Sequence, residues 1–486
     1  MKKTFKNFGS DTLWYLPGNV AQGISGFLSI ILYTRLFTPE HYGDYALVIS
    51  SLGFMNSVLI GWLNQSIIRF NYEFKKNDSY ISTIIYTVLL INITVLLVSI
   101  PIFILTYGNV SNSFMKLTYY GFFLFFVQAF DSTFQSILRA NRLVKIFSLN
   151  NVVVSLSKLI IVYLLVSYYN FNIESILIAL IIAHTSTIII SIRTLTFSNV
   201  NFRVIDFSIL KTFRDYGVPL IGLTFTSWII ALSDRYIIKI FETSKEVGIY
   251  SVSYSIANTI LSLIITVMML AGYPVIVKVW NTSGRRDTEV VVGKMLRYYL
   301  LVTIPLFFGF ICFSSEVLEM LGSEEYLSGD RVLPMVSLGI LLMGVSQYSN
   351  KVWELTKKTK IIMYLNIITA VLNLVLNIIF IPIFGFIAAA YTTAASYIFY
   401  LMISLIKSRK VFRIKIQLKS IMNILLSSII MASSLSILTI YSNSTSITLI
   451  LGAISGIVIF LLVIKLTGEI DEEIKVLKNY FYKNKP

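Results

Sequence analysis

A lysine halfway along an apolar run is the residue most open to chemical argument. Lys158 stands about twelve residues into a segment that begins near residue 146. A charge at that depth costs about 3 kcal/mol on insertion scales unless it faces protein or water. An ammonium kept there marks a lined cavity or an anionic ligand. Asn151 and Ser155 share its helical face. Gln128, Asp131, Gln135 and Arg139 form a second stripe at helical spacing on an otherwise aromatic segment, expected to face a cleft. A third stripe carries Gln347, Asn350, Lys351 and Glu354, where Lys351 and Glu354 can serve as a functional pair or simply pair with each other near the segment end.

The remaining candidates divide by chemistry. Asp131 is a candidate for binding a proton or sodium ion, since a carboxylate removed from water has a raised pKa and can change charge in a cycle; the alternative is a static pair with Lys158 or Arg139. His184 can titrate near neutrality, but its plainer reading is a neutral imidazole bonded to a neighbouring helix. Arg69 and Arg139 close the inner ends of their segments, where an arginine fork can grip phosphate oxygens or merely follow the charge rule for cytoplasmic ends. Asp234 and Arg235 lie near an outer end, as a local ion pair or a gate. Pro17 and Pro219 are expected to break helices, a common pointer to a transporter's moving site, with a packing kink as the alternative. The single cysteine, Cys312, sits in an apolar run, which leaves no disulfide or thiolate cluster within one chain. No metal or cofactor is expected beyond a coupling ion, H+ or Na+. No nucleotide-binding loop is present to supply ATP energy.

These residues need helices that cross a bilayer. The 486 residues are 56% hydrophobic and 13% charged, with mean hydropathy +0.78, more apolar surface than so few charges could keep in water. Segments near twenty residues fit about 30 Å of hydrocarbon. They predict an all-α membrane protein of about fourteen spans: 12–37, 43–68, 80–106, 117–138, 146–168, 173–193, 215–238, 247–275, 295–315, 332–354, 361–382, 385–406, 420–440 and 445–464. The run after the basic start, Met1 to Phe37, is too long for a signal peptide and is expected to be a retained first helix. With both termini cytoplasmic, the outward loops and the outer ends of the spans hold only Arg35, Lys116, Arg235, Lys239, Lys245 and Arg331 of the 40 Lys and Arg. That bias satisfies the positive-inside rule and explains the +16 charge without nucleic acid.

An internal repeat sets the expected organisation. Thr38-Pro-Glu-His-Tyr-Gly43-Asp-Tyr45 returns 205 residues later as Thr243-Ser-Lys-Glu-Val-Gly248-Ile-Tyr250, and Pro17 has its counterpart in Pro219. Two parallel six-helix bundles, 1–200 and 201–410, follow, with 411–486 adding two helices and a cytoplasmic tail.

The runs Leu32-Tyr-Thr-Arg35-Leu-Phe-Thr-Pro-Glu-His-Tyr-Gly43, Asp234-Arg235-Tyr-Ile-Ile with Val247-Gly248-Ile-Tyr250, and Leu372-Asn373 through Pro382-Ile-Phe-Gly385 to Ala388 resemble the Wzx-type polysaccharide biosynthesis flippases. These belong to the multidrug/oligosaccharidyl-lipid/polysaccharide (MOP) exporter superfamily. Phe386-Ile387 departs from the small residue such proteins often carry before the alanines. The resemblance implies a non-enzymatic flippase of the bacterial inner membrane. It would carry undecaprenyl-diphosphate-linked oligosaccharide outward by alternating access, for O-antigen (lipopolysaccharide) or capsule synthesis. A polysaccharide polymerase and a chain-length regulator would be its partners. A drug exporter of the same superfamily would want an acidic cleft, whereas the lining candidates are mostly cationic. A membrane polymerase or ligase would need larger outward loops than these.

Overall fold

The computed structural model describes residues 2–106, 112–195, 205–409, 411–415, 417–441, 445–471 and 473–475. Among them the regular elements are helical. In long apolar helices the side chains can face lipid while most backbone N–H and C=O groups pair inside the helix. The fourteen long helices are α1 (Lys2–Leu36), α2 (Pro39–Phe74), α3 (Ser79–Thr106), α4 (Asn112–Ala140), α5 (Val144–Tyr169), α6 (Glu174–Leu195), α7 (Phe207–Phe241), α8 (Ser244–Thr282), α9 (Arg285–Cys312), α10 (Val332–Leu355), α11 (Lys360–Phe384), α12 (Ile387–Ser408), α13 (Leu418–Tyr441) and α14 (Thr445–Leu466). Each coincides with one predicted span. All but α1 contain a window apolar enough to cross a membrane among the described residues.

The chain forms two compact units, Met1–Gly248 and Ile249–Pro486. In the first, α1 packs on α5, α5 on α6, α6 on α4, α4 on α2, and α2 on α7. In the second, α11 packs on α12, α12 on α10, α10 on α9, α9 on α13, and α13 on α14. The internal order α5–α6–α4 thus recurs as α11–α12–α10.

Two departures from the expected helices matter. Pro17 and Pro219 do not end their helices, which run on through both. The backbone N–H of Gly18, next to the Pro17 ring, donates to Ser148 Oγ on α5 at 3.0 Å, which ties the two helices together at the proline. The irregularity lies in α2, where Asn56–Ile60 forms a π-helical turn. Such turns insert a residue and re-aim the side chains beyond it.

The repeated motif also acquires a physical role. A Cβ on Gly43 would overlap the carbonyl oxygen of Ser244, and one on Gly248 would overlap that of Pro39. The two motif glycines let the first turns of α2 and α8 cross backbone to backbone. Asp44 accepts a hydrogen bond from Ser244 Oγ at the same crossing.

Candidate substrate and ion-coupling site

In the first unit, Asp131 is only 5% exposed and is held by α6. His184 Nδ1 lies 2.8 Å from Asp131 Oδ2. Thr187 Oγ1 donates to Asp131 Oδ1 at 2.8 Å, and Gln135 Nε2 approaches the same oxygen at 3.5 Å. Gln128 Nε2 stands 3.4 Å from His184 Nε2. With that amide orientation, the ring takes a proton-bearing Nδ1 toward the carboxylate and an accepting Nε2 toward Gln128.

The α4 stripe therefore meets α6 through its middle, where the sequence suggested a cleft-facing row. The partner of Asp131 is His184, neither Lys158 nor Arg139. Sequence reasoning missed Thr187; its signal is the i, i+3 spacing from His184. Asn64 on α2 donates to Ser132 Oγ at 3.2 Å and extends the polar wall of α4 on its other side.

Lys158 lies on α5, half-buried, on the helix face that meets α1. Ser25 Oγ on α1 donates to the Ser155 carbonyl at 2.5 Å, and Asn151 packs beside Gly18. No described group forms a hydrogen bond or ion pair with Lys158. Arg139 is exposed, donates to Ser136 Oγ at 3.2 Å, and lies over the Phe147 ring at 5.5 Å. Arg69 is exposed over the Phe70 ring at 5.4 Å. Asp234 and Arg235 are buried in α7, where Arg235 Nη1 reaches the Ala231 carbonyl at 2.9 Å and Asp234 Oδ1 at 3.4 Å.

In the second unit, Lys351 Nζ is 2.8 Å from both Glu354 oxygens and 4.6 Å from the centre of the Tyr273 ring. The pairing alternative is the one observed, and it leaves this ammonium engaged on three sides. Asn373 and Asn377, in the motif that carried the resemblance, tie α11 to α12. Asn377 Nδ2 donates to Asn373 Oδ1 at 3.2 Å and Asn373 Nδ2 to Thr393 Oγ1 at 3.4 Å, while Thr392 donates to Asn377. The motif there is interhelical polar glue.

Two units of long apolar helices, each with buried titratable groups, define a multi-pass membrane architecture. The structure of the lipid II flippase MurJ in an inward closed conformation aligns with 96% of this chain and 99% of its own, at TM-score 0.77 and 18% identity. An inward-facing multidrug-resistance MATE transporter of the MOP superfamily aligns at TM-score 0.56 and 13% identity, covering 82% of this chain and 95% of its own. Identities this low speak for the fold alone.

The polysaccharide biosynthesis protein profile matches residues 8–280, more than half the chain, and the MatE profile matches 219–379. The chain belongs to the polysaccharide biosynthesis protein family, within the MOP superfamily. Among curated relatives, a probable low-salt glycan biosynthesis flippase, Agl15 of Haloferax volcanii, is 28% identical over 37% of each chain. The match thus spans little more than a third of that relative's length. The capsular polysaccharide biosynthesis protein CapF of Staphylococcus aureus is 22% identical over 80% of this chain and 96% of its own.

Proposed function

We propose that the protein flips an undecaprenyl-diphosphate-linked oligosaccharide from the inner to the outer leaflet of the cytoplasmic membrane, supplying O-antigen or capsule synthesis by alternating access. Both termini lie in the cytoplasm in this reading, and a polysaccharide polymerase and a chain-length regulator take the product. The observation that carries it is Lys158, an ammonium deep in α5 with no anion beside it among the described residues, suited to the diphosphate or to acidic sugars. A relative named as a glycan flippase and another named for capsule synthesis support the substrate class.

Asp131 and His184 supply the coupling. Their pair can take up one proton, and the change demands only that the Gln128 amide turn its oxygen toward the newly protonated Nε2. The coupling ion in this reading is H+ or Na+. Arg69 and Arg139 guide phosphate at the inner end, Asp234 and Arg235 brace the outer end, and Lys351 with Glu354 acts as a closed pair.

The test is transport of a fluorescent lipid-linked oligosaccharide in proteoliposomes. Lys158→Arg keeps much of the wild-type rate, Lys158→Ala loses most of it, and Lys158→Glu is the slowest. Equal rates across the three remove Lys158 from the substrate path. The MatE match favours one rival, a cation exporter, which would be inhibited by organic cations and indifferent to Lys158→Glu.

A further inference from the structure

Far along the chain from the transport residues, the second unit holds a cavity of about 580 Å3. Three segments build it. Residues 411–415 lie against α9 because Gly293 has no side chain: a Cβ there would overlap the Lys415 carbonyl oxygen. Glu289 fastens the same segment, its Oε1 accepting from Arg413 N at 3.0 Å.

The opposite wall is the turn after α14, drawn down by Arg297. Its Nε and Nη1 each lie 2.6 Å from a carboxylate oxygen, of Glu469 and Glu473 respectively, and Nη2 reaches the Glu469 carbonyl. Asn423 Nδ2 donates to Glu469 Oε2 at 3.1 Å. Those carboxylate contacts run to Arg297 and Asn423, while Lys415 and Lys419 add two ammonium groups to the lining. At the same helix ends, Leu418, Met422 and Leu466 are 76%, 67% and 86% exposed.

A basic pocket framed by exposed aliphatic side chains at helix ends is the arrangement that receives a phosphate headgroup with acyl chains beside it. We infer that this cavity binds the phosphate headgroup of an anionic membrane phospholipid, at the end of the second unit that the charge bias assigns to the cytoplasm. The volume suits a headgroup, being within the range of small-molecule sites. The lipid would join the 411–415 segment and the start of α13 to the turn after α14. The inference does not depend on what the protein transports.

The experiment uses the purified full-length protein in detergent. It titrates short-chain phosphatidylglycerol, short-chain phosphatidylcholine and inorganic phosphate, reading bound lipid by native mass spectrometry and thermal stability in parallel. Wild type should bind phosphatidylglycerol about tenfold more tightly than phosphatidylcholine. Lys415→Gln with Lys419→Gln should remove that preference and leave phosphatidylcholine binding unchanged. Lys419→Gln alone, on the exposed first turn of α13, should show a partial loss without any folding defect. Lys415→Arg with Lys419→Arg should retain the preference. Overturning results are an undiminished preference in both glutamine variants, no preference in wild type, or inorganic phosphate competing as well as the lipid, which would mark a soluble-anion site.

Discussion

Because Asp131 commits its oxygens to His184, Thr187 and Gln135, exchanging its charge with Lys158 cannot rebuild a native pair. The double variant Lys158→Asp with Asp131→Lys should therefore stay inactive in the flipping assay; recovery would show that the two residues meet during the cycle. Coupling is tested separately. Asp131→Asn, which keeps the side-chain volume, should uncouple transport from an imposed pH gradient while membrane levels stay normal, and His184→Gln should weaken that dependence in the same direction. An unaltered response to the gradient in both variants would exclude the pair from coupling. Lys158 was legible in the sequence because an ammonium within an apolar run stands out from its neighbours alone. The Asp131–His184 pair was not, because helical spacing tells which residues share a face of α4 and nothing of which helix lies opposite. Lys351 shows the same limit from the other side: its spacing allowed the pair with Glu354, but the Tyr273 ring beside it belongs to another helix and lies beyond what spacing can tell.

At the scale of the elements, hydropathy located every long helix, since the bilayer fixes both length and composition. It could not place the irregularities. The prolines read as breaks, yet α1 and α7 run on through them, and the π turn at Asn56–Ile60 has no compositional mark. The repeated glycines were visible as a motif, but their reason, a backbone crossing, needs both helices at once. Gly43→Ala should destabilise the protein by about 2 kcal/mol through overpacking, read as a lower melting temperature in detergent. Gly53→Ala, whose Cβ meets nothing within 4 Å, should be neutral or slightly stabilising. Equal effects of the two would contradict the crossing. The turn after α14 carries a pH dependence. The Arg297 hydrogen bond holds the Glu473 carboxyl below its ordinary value of 4.5, against the opposing effect of partial burial. Its contribution is complete above that value and is lost as pH falls through the lowered one. Proteolysis of the segment after α14 should accelerate in that acid range, and Glu473→Gln should show the fast rate already at neutral pH.

For the molecule as a whole, sidedness rests on the scarcity of Lys and Arg in one set of loops. In a Cys312→Ser background, a cysteine at exposed Asn172 should react with an impermeant maleimide from outside intact cells, and one at exposed Lys76 should react only after lysis. Labelling of both in intact cells would overturn the topology. Membership of the polysaccharide biosynthesis family was legible from motifs spread along the chain, whereas the sugar it handles is not, since those motifs position helices against each other. The central claim, movement of a lipid-linked oligosaccharide past Lys158, is decided most directly by the fraction of a fluorescent undecaprenyl-diphosphate oligosaccharide open to a membrane-impermeant quencher in proteoliposomes. With wild-type protein, quenching should proceed past the outer-leaflet share toward completion, and with Lys158→Glu it should stop at the level of protein-free vesicles. Complete quenching with Lys158→Glu, at a wild-type rate, would contradict the account.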